Sequence, residues 1–275
     1  MKTNSTEWLW HIFLGTVVLG LLFPLLWMVS LSLKTTGQIS LQNPLELWPA
    51  PWTWENFAYV LFTSDFGRYT WNTFVIAAAV TVGKVATSLL AAYGFTQFHF
   101  PGRGMLYYGC VFSMFIPFAS IMMPNYLLLA KLGWLNTYWA AIVPHIADGM
   151  GIFLLRQSIR SIPRAVLDSA RMDGLSHWKI LTKIVVPLIK PAMVALAILS
   201  FVNSWNEYFW PMLVMNQKSM YTLPVALSMF ANVEGGTEWG AMMAAATLTA
   251  LPPLLCYLLA RRHIVETFLH SGVKG

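Results

Sequence analysis

Residues 161–187 read SIPRAVLDSARMDGLSHWKILTKIVVP, the one long charge-bearing segment between stretches that are otherwise apolar. Gly174 predicts a left-handed turn that ends a first short helix, and Ser176 predicts the N-terminal cap of a second one. Ser161 and Pro163 suit the start of the first helix, and Pro187 suits the end of the second. We therefore interpret the rest of the chain as the scaffold that holds this two-helix segment.

The composition is that of an integral membrane protein. Apolar residues make up 57% of the 275 residues and charged residues only 10%, whereas a soluble domain normally carries about 25% charge. The net charge of +6 does not indicate a nucleic acid partner, because the basic residues lie between apolar runs and form no basic patch with interleaved aromatic residues.

Neither the cysteines nor the histidines form a metal motif. Cys110 and Cys256 lie in apolar runs, so we expect small buried thiols and no disulfide. The six histidines are scattered without the spacing of metal ligands. No bound metal is expected.

Six apolar runs are long enough to cross about 30 Å of hydrocarbon, for which a helix needs about 20 residues. They cover approximately 8–33, 71–96, 105–124, 138–156, 191–213 and 239–260. The runs show no polar–apolar alternation, which favours helices over barrel strands. The first run is too long for the core of a signal peptide and lacks a small-residue cleavage pattern, so we expect it to be retained. The sequence predicts an all-α integral membrane protein with six transmembrane helices.

The basic residues set the expected orientation. With both termini inside, twelve of the 17 Lys and Arg residues face the cytoplasm, four face outward and Lys84 lies within a span. Because basic residues concentrate on the cytoplasmic side, we predict that both termini are cytoplasmic. The cytoplasmic set is Lys2, Arg103, Arg156, Arg160, Arg164, Arg171, Lys179, Lys183, Lys190, Arg261, Arg262 and Lys274, and the outer set is Lys34, Arg68, Lys131 and Lys218.

The predicted spans divide the chain into three parts. Residues 1–70 hold the first transmembrane helix and an extracytoplasmic loop rich in Trp and Pro, whose Trp residues suit the headgroup layer. Residues 71–262 hold a core of five spans with a cytoplasmic loop at 157–190, and residues 263–275 form a cytoplasmic tail. No internal repeat of the kind that builds inverted-repeat transporters is present.

No catalytic or ATP-binding motif is present. The pattern G-x-x-x-x-G-K-[ST] fails at Gly83-Lys84, because Val85 follows and Ala78 stands where the first glycine is required. We conclude that the chain is not an enzyme and that any energy source belongs to another subunit.

The 161–187 segment resembles the cytoplasmic signature of the inner-membrane subunits of binding-protein-dependent ABC importers. That signature is Glu-Ala-Ala, three residues, Gly, nine residues and Ile-x-Leu-Pro. In this chain Asp168-Ser169-Ala170, Gly174 and Ile184-Val185-Val186-Pro187 stand at this spacing. The departures are Asp for Glu, Ser for Ala and Val for Leu.

The resemblance extends along the chain to the second permease subunit of the maltose and glycerol-3-phosphate importer group. Residues 205–211 (WNEYFWP) are similar to that group's fifth-span motif, and residues 271–275 (SGVKG) to its C-terminal ending. Residues 100–103 (FPGR) match a frequent cytoplasmic turn of the group.

The resemblance implies the type I ABC importer permease fold, with a cytoplasmic coupling-helix loop, in the inner membrane of a bacterium. The implied partners are a homologous permease subunit, a cytosolic ABC ATPase dimer, an extracytoplasmic solute-binding protein and membrane lipid. No cofactor is expected on this chain, because ATP and Mg²⁺ are used by the partner ATPase. The implied ATPase-coupling residues are Asp168, Ser169, Ala170, Arg171, Asp173, Gly174, Ile184 and Pro187, and the implied tail contacts are Ser271, Gly272 and Lys274.

The first helix of the segment is expected to lay Ile162, Ala165, Val166 and Ala170 into a groove on the ATPase. Asp168 would offer a carboxylate to a cation of that partner. The basic residues Arg160, Arg164 and Arg171 would surround the contact or face lipid headgroups. The alternative is an interfacial helix that binds only lipid.

Polar residues inside the spans are the candidates for the substrate pathway, because polar groups in a membrane are costly and usually functional. Helical spacing predicts that Asn203, Asn206 and Glu207 share one face. Aromatic surface is added by Trp205, Tyr208 and Trp210. Such a set suits a sugar or polyol. The alternatives are interhelical hydrogen bonding with the sister subunit, or a turn at Pro211. Asn72, Asn125 and Asp148 are further candidates, for which interhelical hydrogen bonding is the simpler explanation. Lys84 is expected to snorkel or to pair with a neighbour.

The predicted function is that of a permease subunit that forms half of the pathway for a sugar, oligosaccharide or polyol. An importer for sn-glycerol-3-phosphate is the alternative within the same group. Its phosphate would require cationic donors near the middle of the membrane, where this chain offers only Lys84. An ion-coupled secondary transporter or channel is the alternative of another class. It predicts internal repeats and several ionisable residues in the spans, which hold only Lys84, Asp148 and Glu207.

Overall fold

Every regular element in the described part of the chain is helical. The structure is a computed structural model, and it describes residues 5–41, 47–48, 50–230 and 238–272. The α-helices are α1 (Ser5–Ser32), α2 (Thr36–Leu41), α3 (Glu55–Ala58), α4 (Phe66–Gln97), α5 (Arg103–Ser113), α6 (Phe118–Lys131), α7 (Tyr138–Ile142), α8 (Gly149–Arg160), α9 (Arg164–Met172), α10 (His177–Ile180), α11 (Val186–Leu188), α12 (Lys190–Trp205), α13 (Phe209–Val214), α14 (Leu223–Phe230) and α15 (Trp239–Gly272). Tyr59–Thr63 and Leu181–Val185 form π-helical turns, and Val143–His145 and Lys218–Met220 form 3-10 turns. The predicted all-α class is confirmed.

Three of the predicted spans are single long helices. The helices α1, α4 and α15 contain the predicted runs 8–33, 71–96 and 239–260 to within a residue, and each is long and apolar enough to cross a membrane. Many of their apolar side chains are exposed, including Trp8, Leu21 and Val82. That exposure is the expected state of helices whose solvent is lipid.

The other three predicted runs are each interrupted: 105–124 between α5 and α6, 138–156 between Tyr138–His145 and α8, and 191–213 between α12 and α13. The bend between α5 and α6 is 100°, that between Tyr138–His145 and α8 is 47°, and that between His177–Leu188 and α12 is 78°. Counting each pair as one span gives up to six spans in the described residues. Hydropathy registers how apolar a run is but carries no information on the direction of its axis.

Local chemistry explains where two of these bends occur. Pro117 precedes α6 with an extended ψ of 134° and has no N–H to continue α5. Asp148 starts α8 as its N-cap, because its carboxylate accepts hydrogen bonds from the N–H groups of Met150 and Gly151 at 3.3 and 3.2 Å.

Residue contacts divide the chain into two compact units. The first contains Met1–Thr70 and Leu223–Leu251. Within it, the Asn56 side-chain amide donates to the carbonyl oxygens of Ser32 and Lys34 at 3.0 and 2.8 Å and ties α3 to the end of α1. Gly240 allows α15 to approach Asn56, since a Cβ at this position would overlap the Asn56 amide.

The second unit contains Trp71–Thr222 and Pro252–Gly275. Its larger apolar cluster joins α4, α8, α9, α10 and α12 and includes Leu155, Ile159, Ile180 and Val185, each at most 1% exposed. A second cluster surrounds the fully buried Trp210, whose indole N–H donates to the carbonyl oxygen of Ala140 at 2.9 Å. These clusters position the two sites described below.

Candidate functional site

The central turn of the 161–187 segment has the predicted geometry. Gly174 has a φ of +73° and follows α9, as predicted for a left-handed C-terminal residue. Its N–H donates to the Arg171 carbonyl oxygen at 3.0 Å, and the Leu175 N–H donates to that of Ala170 at 3.1 Å, the two bonds of a Schellman motif. The Ser176 hydroxyl accepts from the Lys179 N–H at 3.5 Å and caps α10, as predicted.

The outer ends of the segment differ from the prediction. Ser161 ends α8 and does not begin α9, because its hydroxyl donates to the Ser158 carbonyl oxygen at 2.8 Å. Pro163 takes the N-cap position of α9 with an extended ψ of 131°. Pro187 lies in the first turn of α11, where its missing N–H is tolerated, and the helix continues to Leu188.

One face of α9 is already occupied by this chain. Leu167 and Ala170 are 6% and 4% exposed and, with Ile162, belong to the larger apolar cluster. The expectation that Ile162 and Ala170 enter a groove on another subunit is therefore wrong. Spacing along an amphipathic helix shows that an apolar face exists but not which molecule covers it.

The rest of the α9 surface, and the start of α10, carry exposed apolar side chains. Ala165 and Val166 are exposed, Met172 is 83% exposed, and Trp178, just beyond the turn, is 65% exposed. Large apolar side chains at this exposure, on an element fixed to the core by its other face, indicate a contact surface. We call Ala165, Val166, Met172 and Trp178 the outward face.

The carboxylate of Asp168, the first residue of the signature, is paired with a residue of the same chain. Asp168 forms an exposed ion pair with Arg171 at 3.1 Å, and Arg171 also donates to the Gln97 side-chain oxygen at 2.8 Å. This chain of contacts joins α9 to the end of α4. Among the other predicted coupling residues, Ser169, Asp173 and Pro187 are exposed, and Ile184 packs on the larger cluster.

A second connection joins the 161–187 segment to α4. The Tyr93 hydroxyl lies 3.0 Å from the His177 ring Nδ1, and the His177 ring lies 4.5 Å from the ring of Phe98. Both short helices of the segment therefore contact the end of the same long helix, α4.

The second site is a cavity of about 80 Å³ beside Trp210. Its polar lining comes from Lys84 on α4, His145 after α7, Asn203 and Ser204 on α12, and Glu207 in the break before α13. Its apolar lining is Ile76, Val80, Ala141, Trp210 and Pro211. Polar groups that converge in an apolar cavity are typical of a small-molecule site. We call this the inner cavity.

Several polar groups of the inner cavity have no partner within the described residues. The His145 Nε2 atom is buried without a hydrogen bond, and neither Lys84 nor Asn203 has a side-chain hydrogen bond or ion pair. The Glu207 carboxylate accepts from the Trp210 N–H at 3.2 Å. The buried His145 Nε2 atom is costly to leave without a partner, so a ligand with hydroxyl groups would stabilise it.

The predicted substrate residues do not all lie together. Asn203 and Glu207 line the inner cavity, but α12 ends at Trp205, so the single face predicted for Asn203, Asn206 and Glu207 is wrong. Asn206 is exposed, and its amide donates to the Val202 carbonyl oxygen at 3.0 Å. Trp205 is 1% exposed in the protein interior, and Tyr208 stacks edge-on with its neighbour Phe209.

Asn72 and Asn125 lie elsewhere. Asn72 is 2% exposed, donates to the carbonyl oxygens of Ser219 and Tyr221 at 3.0 Å each, and accepts from the Tyr138 hydroxyl at 2.7 Å. Asn125 is half-buried on α6, next to Pro124, and does not line the inner cavity. The Asn72 amide is fully used in joining elements of the second unit.

Sequence reasoning missed two residues of the inner cavity. Lys84 was expected to snorkel or pair, and His145 was one of the scattered histidines. The available indication was their position, since each is an ionisable group inside an apolar span, where such groups are expensive. Among the described residues, no group of three His, Cys, Asp or Glu side chains is placed to hold a metal ion.

The predicted tail contacts are only partly described. Ser271 and Gly272 lie in the last turn of α15, whose side chains at this end are outside the described set. Lys274 lies outside the described residues.

Comparison with known proteins identifies relatives that are all components of transport systems. The family model described as "Binding-protein-dependent transport system inner membrane component" matches residues 84–268. The sn-glycerol-3-phosphate transport system permease protein UgpE of Yersinia enterocolitica is 34% identical over 269 residues, 95% of each chain. The arabinooligosaccharides transport system permease protein AraQ of Halalkalibacterium halodurans is 30% identical over 273 residues, which cover 98% of this chain and 97% of the relative.

A solved structure has the same fold. A chain in the crystal structure of a bacterial ABC transporter that imports the acidic polysaccharide alginate aligns with a TM-score of 0.86 at 22% identity, covering 95% of this chain and 98% of that chain. The predicted permease fold is therefore confirmed.

Proposed function

The chain belongs to the family of inner-membrane components of binding-protein-dependent transport systems, and from this premise we propose that it forms half of an ATP-driven pathway for a sugar, oligosaccharide or polyol. Family membership makes it a permease subunit of an ABC importer and not a catalytic subunit. The predicted identity of the family is confirmed, and with it the placement in a bacterial inner membrane.

We further propose the composition and orientation of the importer. The chain pairs with a homologous permease subunit, and the pair binds a cytosolic ATPase dimer, which uses ATP and Mg²⁺, and an extracytoplasmic binding protein. Both termini are cytoplasmic, as the excess of basic residues on that side favours. The permease core is residues 71–262, preceded by the first helix and outer loop of 1–70 and followed by the tail of 263–275.

The observation that carries the coupling proposal is the division of α9 into two faces. Leu167 and Ala170 anchor the helix in the chain's own core, while Val166 and Met172 face outward. An anchored helix with an exposed apolar face suits the helix-in-groove mode of binding. The hydrogen bond from Arg171 to Gln97 links this helix to the end of α4, and the Tyr93–His177 contact links α10 to α4. ATPase movement therefore reaches a membrane span through direct contacts.

The inner cavity supports a neutral polyhydroxylated substrate. Amide, hydroxyl, imidazole and carboxylate groups from Asn203, Ser204, His145 and Glu207 offer hydrogen bonds to hydroxyl groups. A carboxylate in the same cavity disfavours a phosphate dianion by like-charge repulsion. The sn-glycerol-3-phosphate alternative draws its support from the names of the UgpE relatives and from Lys84, the one cation of this cavity.

Co-purification tests the proposed assembly. Affinity purification of the tagged chain, expressed from its native operon in mild detergent, is expected to recover a second permease and two copies of an ATPase. Val166→Asp on the outward face is expected to lose the ATPase and to retain the second permease. The matched control Lys183→Asp, at an exposed site of the same segment, is expected to retain both. Recovery of this chain alone, in detergents that preserve its fold, would contradict the assembly.

A further inference from the structure

A large basic cavity lies between α4, α5, α8 and α9. It has a volume of about 490 Å³ and is lined by Arg103, Arg156, Arg160, Arg164, Arg171 and His99. We call it the arginine cavity. It is separate from the inner cavity, with which it shares no lining residue.

The arginine cavity has a large excess of positive charge. Asp168 is its one acidic lining residue, and this carboxylate is already paired with Arg171. Five guanidinium groups around one concavity repel one another unless an anion is present. An anionic ligand in the cavity would therefore be stabilised by this positive charge.

Four of the five arginines have no anionic partner in the described part of the chain, and of these only Arg103 has a hydrogen bond, to the Phe98 carbonyl oxygen. Arg160 and Arg164 form neither a hydrogen bond nor an ion pair there. Arg156 stacks over the Tyr107 ring at 3.8 Å, and its Nε atom is buried without a hydrogen-bond partner. Guanidinium groups bind phosphate oxygens with paired hydrogen bonds. A phosphate group would satisfy this set.

The position of the cavity favours a lipid as the source of that phosphate. Its walls are formed by the end of α4 at Gln97, the start of α5 at Arg103 and the end of α8 at Arg160, all at ends of apolar helices. Such ends lie at the level of the lipid headgroups. Beyond Arg103, α5 exposes Met105 to 81% and Tyr108 to 60%, a surface suited to acyl chains.

We propose that the arginine cavity binds the headgroup phosphate of an anionic phospholipid. Basic pockets between membrane helices on the cytoplasmic side are suited to anionic lipid headgroups. The lipid then fills the space behind α9 and neutralises the arginines that surround it. This site rests on the proposed cytoplasmic position of the 161–187 segment and not on the proposed coupling to an ATPase.

Native mass spectrometry of the assembled importer in detergent tests the proposal. The complex is incubated with phosphatidylglycerol or with phosphatidylcholine, and the lipid retained per complex is counted. We expect phosphatidylglycerol to be retained in preference to phosphatidylcholine. Arg160→Gln with Arg164→Gln is expected to reduce retention at least about tenfold, because each basic residue near an anionic lipid contributes roughly fivefold in affinity. Both residues are exposed, so the variant is expected to fold.

The matched control is Lys179→Gln with Lys183→Gln. It removes the same charge from exposed positions of the same segment that do not line the cavity, and it is expected to retain phosphatidylglycerol like the wild type. Equal retention by the arginine variant would overturn the proposal.

Two further measurements distinguish a lipid from the other possible sources of the anion. If inorganic phosphate binds the complex through Arg160 and Arg164 and no lipid is retained, the ligand is a free phosphate and the lipid proposal is wrong. If phosphatidylglycerol is retained only after the ATPase has been removed, an acidic protein segment occupies the cavity, which also overturns it. A defect in ATP coupling leaves lipid retention unchanged, so failure of the two proposals is distinguishable.

Discussion

Met172→Glu is expected to abolish ATP-driven uptake while the chain still inserts and pairs with its sister permease. Met172 is 83% exposed on the outward face of α9, so the substitution leaves the core of the chain unchanged. In the proposed assembly the same side chain enters an apolar groove of the ATPase. Burial of a Met side chain contributes about 1.5–3 kcal/mol, and an unpaired buried carboxylate costs about 3–5 kcal/mol. Since each 1.4 kcal/mol is tenfold in affinity, the ATPase contact should weaken by more than about 100-fold.

Met172→Leu is the matched variant for this prediction, because it keeps the apolar character and similar volume at the same position. It is expected to retain uptake near the wild-type rate. The measurement is transport by reconstituted importer, with the amount of membrane-inserted chain as the reference. If Met172→Glu supports uptake at the wild-type rate, α9 is not part of the contact with the ATPase.

Glu207→Gln is expected to lower uptake of a neutral sugar or polyol by about 5–10-fold, because a neutral acceptor contributes about 1–1.5 kcal/mol less than a charged one. Hydrogen bonds to a charged group contribute about 1.5–3 kcal/mol, and the amide replaces the charged acceptor with a neutral one. The Gln side chain still offers an oxygen to the Trp210 N–H, which Glu207 contacts at 3.2 Å. The variant therefore tests the charge and leaves the start of α13 intact.

Asn206→Ala is the control for the inner cavity. Asn206 is adjacent in sequence but exposed and bonded to the Val202 carbonyl oxygen, so its removal should change uptake little. Labelled monosaccharides, oligosaccharides, glycerol and sn-glycerol-3-phosphate are the substrates to compare. Unchanged uptake of every substrate by Glu207→Gln would contradict the assignment of the inner cavity to the pathway.

Whether uptake rises or falls in these variants distinguishes sn-glycerol-3-phosphate from a neutral sugar as the substrate. If sn-glycerol-3-phosphate is the substrate, Glu207→Gln removes like-charge repulsion and uptake should rise, whereas Lys84→Met removes the cationic donor and uptake should fall. If the substrate is a neutral sugar, Glu207→Gln is expected to lower uptake more than Lys84→Met does. Both side chains line the same cavity, so the pair of variants tests one site.

Local features of the sequence predicted local structure well. The turn at Gly174 and the cap at Ser176 depend on the conformational and hydrogen-bonding properties of single residues, and both lie where predicted. The long helices α1, α4 and α15 followed from composition, because an apolar run of sufficient length has few alternatives in a membrane.

Features that depend on direction or on distant contacts were not predictable. The bend of 100° between α5 and α6 is not a property of hydropathy. The assignment of Ile162 and Ala170 to the chain's own core required knowing that α8 and α12 lie beside them. Lys84, His145 and Glu207 meet only because three separate helical segments converge on Trp210.

The most direct test of the central claim, that an ATPase drives transport through this permease, is the energy source of uptake. The importer is reconstituted into liposomes with its binding protein outside and ATP enclosed, and accumulation of the labelled substrates is measured with and without ionophores. We predict that accumulation requires enclosed ATP and is unaffected when ionophores collapse the ion gradients. Accumulation that proceeds without ATP and stops when the ion gradients collapse would contradict the account.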